Sequence, residues 1–276
     1  MSQPFIIMSA PNGARKNQND HPALPISDSE LADCAESVLR EGASILHLHV
    51  RDENGAHTLD ADRYRSAISA IRDRVGQQLV IQVTTEACGL FDRQQQMATI
   101  RSLKPEAVSL ALRELCPDGD AESAAAEFFA WLNQHGVLTQ YILYSADEVV
   151  RFEALRRRGV IGDVIPFVLF VLGRYSDDLV GDVQELDGFV AAASPDTVWA
   201  VCSFGQTEHA AVEASASMDG HARVGFENNL VLPNGEAAAD NAALVALAAE
   251  RGRAVSRMPA SADDVRKLFA GPAPVL

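Results

Sequence analysis

The chain is short of basic residues: 23 Lys and Arg stand against 38 Asp and Glu, a formal net charge of −15. Nucleic acid and anionic membrane both need a basic footprint and are poor partners for such a chain. An anionic ligand must be met by a local cluster of Arg or Lys. Cysteine is scarce too. Cys34, Cys88, Cys116 and Cys202 stand far apart with no Cys-x-x-Cys pair, which argues against a disulfide framework or a thiolate metal site and for reduced, buried thiols. Nowhere do 18 apolar residues run together, and the first residues lack a basic segment leading into an apolar stretch. The expectation is a soluble cytoplasmic protein.

What the chain does have is length, 276 residues at 47% hydrophobic, enough to bury a core without staples. Apolar runs of strand length fall at residues 5–10, 44–50, 79–84, 107–112, 137–144, 164–172, 198–203 and 223–227. Between them lie stretches of helical period at 28–41, 61–75, 94–103, 122–134, 147–158, 182–193, 208–218 and 241–251. Ser27 and Glu30 have capping-box spacing and Gly42 is a stop signal; Asp60 and Gly76 bracket the next helix in the same way. Eight alternations without a linker predict an α/β fold, a single (β/α)8 TIM barrel over residues 1–276, in preference to an open doubly wound sheet. Ser261 caps a short helix ending at Phe269, read as an appendage available to a neighbouring subunit, and a homo-oligomer is the expected assembly.

Barrel enzymes place their chemistry where strands end. In the second strand Ile45, His47, His49 and Arg51 share one face by alternation. Two imidazoles at i, i+2 in a dry interior must each find a partner, and one metal ion serves both. The eighth strand supplies a third ligand, Glu227, with Arg223 on the same face. Two His and one carboxylate suit hydrolytic zinc and also non-haem iron. His21, His57, His135, His209 and His221 fall in loops or near helix ends and are read as surface residues.

With these residues in view, the chain resembles the β-keto acid cleavage enzymes. The resemblance is carried by Ala10-Pro11-Asn12-Gly13-Ala14, His47-Leu48-His49-Val50-Arg51-Asp52, Gln82-Val83-Thr84-Thr85, Gly173-Arg174-Tyr175 and Arg223-Val224-Gly225-Phe226-Glu227-Asn228-Asn229. It implies a zinc-dependent barrel that converts a β-keto acid and acetyl-CoA into acetoacetate and a new acyl-CoA. His47, His49 and Glu227 match the family's zinc ligands, Arg223 a polarising arginine, and Thr84 a hydroxyl at the substrate. Two positions depart from the pattern. Asn228 stands where the family carries Asp, and an amide is no base near neutral pH. Arg15 stands where members acting on aminated keto acids carry Glu; a cation there repels an ammonium and attracts a carboxylate.

The same residues suggest a division of labour. A metal acting as a Lewis acid stabilises oxygen charge in condensation and cleavage alike, and Arg223 is a fixed cation for the developing oxyanion. Asn12, Thr85, Glu86, Ser109, Gln140 and Tyr144 lie near strand ends and are candidates to line the pocket. For polyanionic CoA, Arg174 has the most specific setting, whereas Lys16 and Arg113 read as solvated surface. A metal-dependent hydrolase of the amidohydrolase type is the rival reading, weakened because the fifth and sixth strands carry no His.

Overall fold

The computed structural model describes residues 3–162 and 165–270. Eight parallel strands close into a barrel. Around it run β1 (Ile7–Ser9), β2 (Ile45–Leu48), β5 (Val80–Thr84), β6 (Ala107–Ala111), β7 (Leu138–Leu143), β8 (Phe167–Leu172), β9 (Val198–Ser203) and β10 (His221–Val224). β10 pairs back onto β1. Outside the ring, β3 (Val50–Arg51) and β4 (His57–Thr58) make an antiparallel hairpin that the sequence did not announce. The expected strand start at Val164 and the tail beyond Ala270 lie outside the described residues. No described helix is long and apolar enough to cross a membrane.

Local chemistry explains the helix bounds. Helix α1 (Asp28–Glu41) starts with Ser27 and Glu30 in a reciprocal capping box and ends at Gly42, whose φ of 109° suits a residue without Cβ. It buries Leu31, Ala35 and Val38, each large side chain contributing roughly 1.5–3 kcal/mol. Helix α2 (Ala61–Val75) is capped by Asp60 and buries Tyr64, Ala67, Ile71 and Val75. The outer ring continues through α3 (Arg93–Leu103), the short α4 (Leu112–Leu115), α5 (Glu122–Gln134), α6 (Ala146–Arg157), α7 (Glu185–Ala192), α8 (Glu208–Ser217) and α9 (Asn241–Ala254).

Two apolar layers follow from strand alternation. Leu46, Leu48, Ile81, Val83 and Phe170 point out toward the helices, while Met8, Ile45, Val80, Ala107, Phe167 and Leu169 fill the lower lumen. The tail helix α10 (Ala262–Phe269) is anchored within the chain. It packs on this chain's own barrel: Val265 joins the lumen cluster, Phe269 meets Phe167 at 4.7 Å, and Arg266 pairs with Glu106 at 2.7 Å. Ala262 and Val265 are buried there, whereas Leu268 and Phe269 are only partly covered.

Of the strand boundaries that differ from the reading, two matter for the site. The second strand stops at Leu48, because Val50 and Arg51 leave the barrel to pair with Thr58 and His57. The eighth spans His221–Val224 rather than 223–227. Gly225 has φ 138°, and a Cβ there would stand 2.4 Å from the Ala10 carbonyl oxygen, so the chain turns at that point. Glu227 consequently sits in a turn beyond the strand.

Candidate active site

Above the apolar plug the lumen becomes polar. Strand register sets His47 beside Gln82, Thr84 beside Ser109, and Ser109 beside Gln140. His47 Nδ1 lies 2.9 Å from Gln82 Oε1, and the Gln82 amide donates to Gln140 Oε1 at 3.2 Å. Since the Gln82 oxygen can only accept, the His47 proton is fixed on Nδ1 and the Nε2 lone pair is free. Gln82 enters the sequence reading only within the Gln82-Val83-Thr84-Thr85 motif, with no role of its own; its signal is an amide on the same strand face as Thr84.

The Nε2 atoms of His47 and His49 stand 3.1 Å apart, and Glu227 Oε2 lies 3.5 Å from the first and 3.3 Å from the second. At least one ligand atom from each of the three residues thus lies within 4.8 Å of the others. For nitrogen and oxygen ligands about 2.0–2.2 Å from a tetrahedral zinc ion, the corners are roughly 3.3–3.6 Å apart. Glu227 Oε2 and His49 Nδ1 are buried without a hydrogen-bond partner. These side chains fit a divalent ion.

Electrostatics keeps the set ready. Burial drives the His47 imidazole down to about 3 despite the nearby Glu227 carboxylate. Burial alone pushes the Glu227 carboxyl up, but Arg223 and the two imidazoles outweigh it and hold the group well below the usual carboxylate range. Arg223 Nη2 donates to Glu227 Oε1 at 3.1 Å and faces Cys202 Sγ at 3.5 Å, while its Nε and Nη1 have no partner.

The turn carrying Glu227 is tied down at nearly every backbone group. Gly225 N–H donates to Glu208, Phe226 N–H to Asn241 Oδ1, and Glu227 N–H to the Ala10 carbonyl. Lys16 Nζ donates to the Glu227 carbonyl at 2.7 Å, and Gly205 N–H to that of Asn228. The loop after β1 is fixed in turn by Arg51, which donates to the carbonyls of Gly13, Lys16 and Gly55. Sequence periodicity gave no hint of Glu208 or Asn241 in this role, because both open helices and read as ordinary first-turn residues.

Glu208 also carries a testable consequence. Burial pushes its carboxyl up to about 8 from an ordinary 4.5, so the folded chain retains a proton that the unfolded chain releases. Its contribution is complete below about pH 4.5 and is lost as the pH rises through about 8. The thermal midpoint is expected to fall between pH 6 and 9, and to fall less in Glu208→Gln. Equal slopes in the two proteins would remove the buried proton from the account.

A cavity of about 370 Å³ opens beside these ligands, lined by Asn12, Arg15, Lys16, Glu86, Arg174, Leu179, Phe204, Glu227 and Asn228 among others. Arg15 and Arg174 both face Glu86, at 3.5 and 3.8 Å. Asn12 donates to the His49 carbonyl, and its Oδ1 is unpartnered, as are both amide atoms of Asn228. The Thr84 hydroxyl accepts from Glu86 N–H, and the Ser109 hydroxyl is buried without a partner. Thr85 donates instead to the Ser109 carbonyl, and Gln140 lies one layer lower against Met8 Sδ.

Several residues read as surface are not. His21, His57 and His221 are buried: the first packs on Phe226 at 4.2 Å, the second donates to the Glu86 carbonyl, and the third accepts from Ile6 N–H. Lys16 lines the cavity. Arg113 keeps a side chain 37% exposed, as read, while it lies 4.5 Å over the rings of both Tyr144 and Tyr175 and pairs with Glu148. For the three histidines a tertiary partner distant in sequence makes the burial.

The model of the beta-keto acid cleavage enzyme family matches residues 4–270. The chain belongs to that family. It is 29% identical, over 98% of both chains, to 3-keto-5-aminohexanoate cleavage enzyme of Fusobacterium nucleatum. It is 26% identical to 3-oxoadipate:acetyl-CoA acetyltransferase of Cupriavidus necator, over 93% of this chain and 92% of that one. The solved structure of ObcA with oxaloacetate superposes with a TM-score of 0.71 at 16% identity, covering 90% of this chain and 67% of that one; that likeness bears on the fold. A β-keto acid cleavage enzyme is not an amidohydrolase, and the rival reading gives way.

Proposed function

We propose that this family member uses zinc, held by His47, His49 and Glu227, to convert a β-keto acid and acetyl-CoA into acetoacetate and a new acyl-CoA. The observation that carries the proposal is the convergence of three ligand atoms at 3.1–3.5 Å beside a buried arginine with unpartnered donors. The names of the relatives support acetyl-CoA as co-substrate. In the overall exchange, the acid's acyl group leaves its CH2–carboxylate fragment for the CoA sulfur, and that fragment bonds to the acetyl carbonyl carbon.

Zinc, when bound, supplies Lewis acidity toward the oxygens of the keto acid. The chain's own residues do the rest. Gln82 fixes the His47 tautomer, and Arg223 presents Nε–H and Nη1–H to the oxygen that gains charge as the carbon–carbon bond forms. Thr84 offers a hydroxyl on the lumen face. Asn228 cannot take a proton at neutral pH and acts by hydrogen bonding. Arg15, Asn12, Thr85, Glu86, Ser109 and Gln140 form or support the acid's pocket, and Arg174 faces CoA. Free cysteines accord with a reducing cytoplasm, and homo-oligomeric assembly belongs to the same proposal.

A panel of β-keto acids incubated with acetyl-CoA is expected to give acetoacetate and a new CoA ester in equal amounts, with turnover abolished by a zinc chelator. Hydrolysis of amides or esters without CoA dependence, and no acetoacetate from any acid, would overturn the assignment.

A further inference from the structure

Arg15 was the sequence's candidate for meeting an anionic substrate group, yet in the structure its guanidinium pairs with Glu86 and faces Cys88, and its side chain is 54% exposed. Arg174 shares the same carboxylate, and Arg223 is paired with Glu227. Lys16 differs. Among the described residues it is the cation lining this cavity that stands in no salt bridge. Its one hydrogen bond runs to the Glu227 carbonyl, and an ammonium has three N–H donors, so two are left for a ligand.

A second observation points to the same place. Asn228, next to the residue Lys16 holds, is 3% exposed, lines the cavity, and has both amide atoms unpartnered. A buried amide without partners is costly unless a ligand completes it. Arg51 fixes the Lys16 backbone through its carbonyl at 2.8 Å, so the ammonium is presented from a held loop. A chain of net charge −15 repels anions in general, which makes this unpaired cation informative.

We propose that Lys16, with the Asn228 amide, receives a second carboxylate carried on the acyl side of the β-keto acid, so that the preferred substrate is a dicarboxylic one. The proposal rests on the β-keto acid reading, in which the reacting carboxylate and keto oxygen belong to the metal site. A CoA phosphate is the other anion to consider. It is separated from the thioester by the whole pantetheine arm, whereas Lys16 is bonded to the backbone of the metal-binding Glu227.

The test compares 3-oxoadipate with 3-oxohexanoate, acids of the same chain length that differ in the tail carboxylate, in wild type, Lys16→Met and Lys16→Arg. In Lys16→Met, kcat/KM for the dicarboxylic acid is expected to fall roughly ten- to hundredfold, chiefly through KM. The neutral-tailed acid loses only what loosening the Glu227 turn costs, roughly tenfold less than the dicarboxylic acid loses, and Lys16→Arg recovers part of the difference. Calorimetric binding of the two acids to zinc-loaded protein without acetyl-CoA reads the same preference independently of turnover. Parallel losses for both acids, a rise confined to the KM for acetyl-CoA, or equal binding of 3-oxoadipate by wild type and Lys16→Met would each overturn it. Absence of acetoacetate with intact dicarboxylate binding would instead defeat the reaction assignment and leave the Lys16 site standing.

Discussion

His47→Ala and His49→Ala are each expected to lower kcat/KM for the β-keto acid by roughly 10³-fold or more, with bound zinc falling far below one per chain. The magnitude follows from the several kcal/mol that a Lewis acid contributes at a developing charge, at about 1.4 kcal/mol per tenfold in rate. The geometry leaves little to replace a lost ligand. His47 and His49 stand with Glu227 at distances of 3.1–3.5 Å, and no other His, Cys, Asp or Glu joins that cluster among the described residues. Gln82→Ala gives a graded control. It removes the acceptor for His47 Nδ1 without touching a ligand, and orienting groups of this kind cost about 10–100-fold in metal affinity or activity. Zinc analysis, turnover and a thermal midpoint on the same preparations separate a lost metal from a lost fold. Full activity in a zinc-free histidine variant would end the metal-centred account.

Part of this site was legible in the sequence because part of it is periodic. Alternation alone put His47 and His49 on one face of an inward strand, and the order of eight strands predicted the closed ring that brings β10 beside β1. Helix ends were legible where a side chain makes the cap, as at Ser27 and Glu30. Glu227 was chosen for being on a strand face, whereas the structure delivers it by a turn. Gly225, in a conformation that favours glycine, swings the chain out after Val224, and backbone contacts with Ala10, Asn241 and Lys16 aim it back.

What stayed hidden depends on partners far along the chain. The burial of His221 requires Ile6 and Arg257, and that of His57 requires the Glu86 carbonyl. Local pattern has no access to either. Lys16 and Arg15 are neighbours with equal formal charge, and the difference between them is which carboxylates come within reach once the loops are placed. Glu86 draws Arg15 and Arg174 together from loops after different strands, an arrangement with no sequence signature.

Arg223→Met is expected to reduce kcat by roughly 10²–10³-fold, the loss seen when one preorganised donor to a developing oxyanion is removed. Arg223 is 3% exposed, and its guanidinium has one nitrogen on Glu227 and two without partners. A purely structural salt bridge would have no reason to leave two buried donors unmet, since each carries a desolvation cost. Those donors face a low-dielectric lumen, where a fixed charge acts more strongly than in water. The substitution also deprives Glu227 of its guanidinium partner, which would raise that carboxyl toward the ordinary range and weaken zinc at mildly acidic pH. Measurements above neutrality with zinc in excess isolate the catalytic loss from that effect. Arg223→Lys keeps the charge but not the planar fork and should fall between wild type and Met, with the change in kcat exceeding that in KM. If Arg223→Met instead lowers the thermal midpoint while kcat per zinc-loaded chain stays within about threefold of wild type, the guanidinium is holding Glu227 in place and the oxyanion must be stabilised elsewhere.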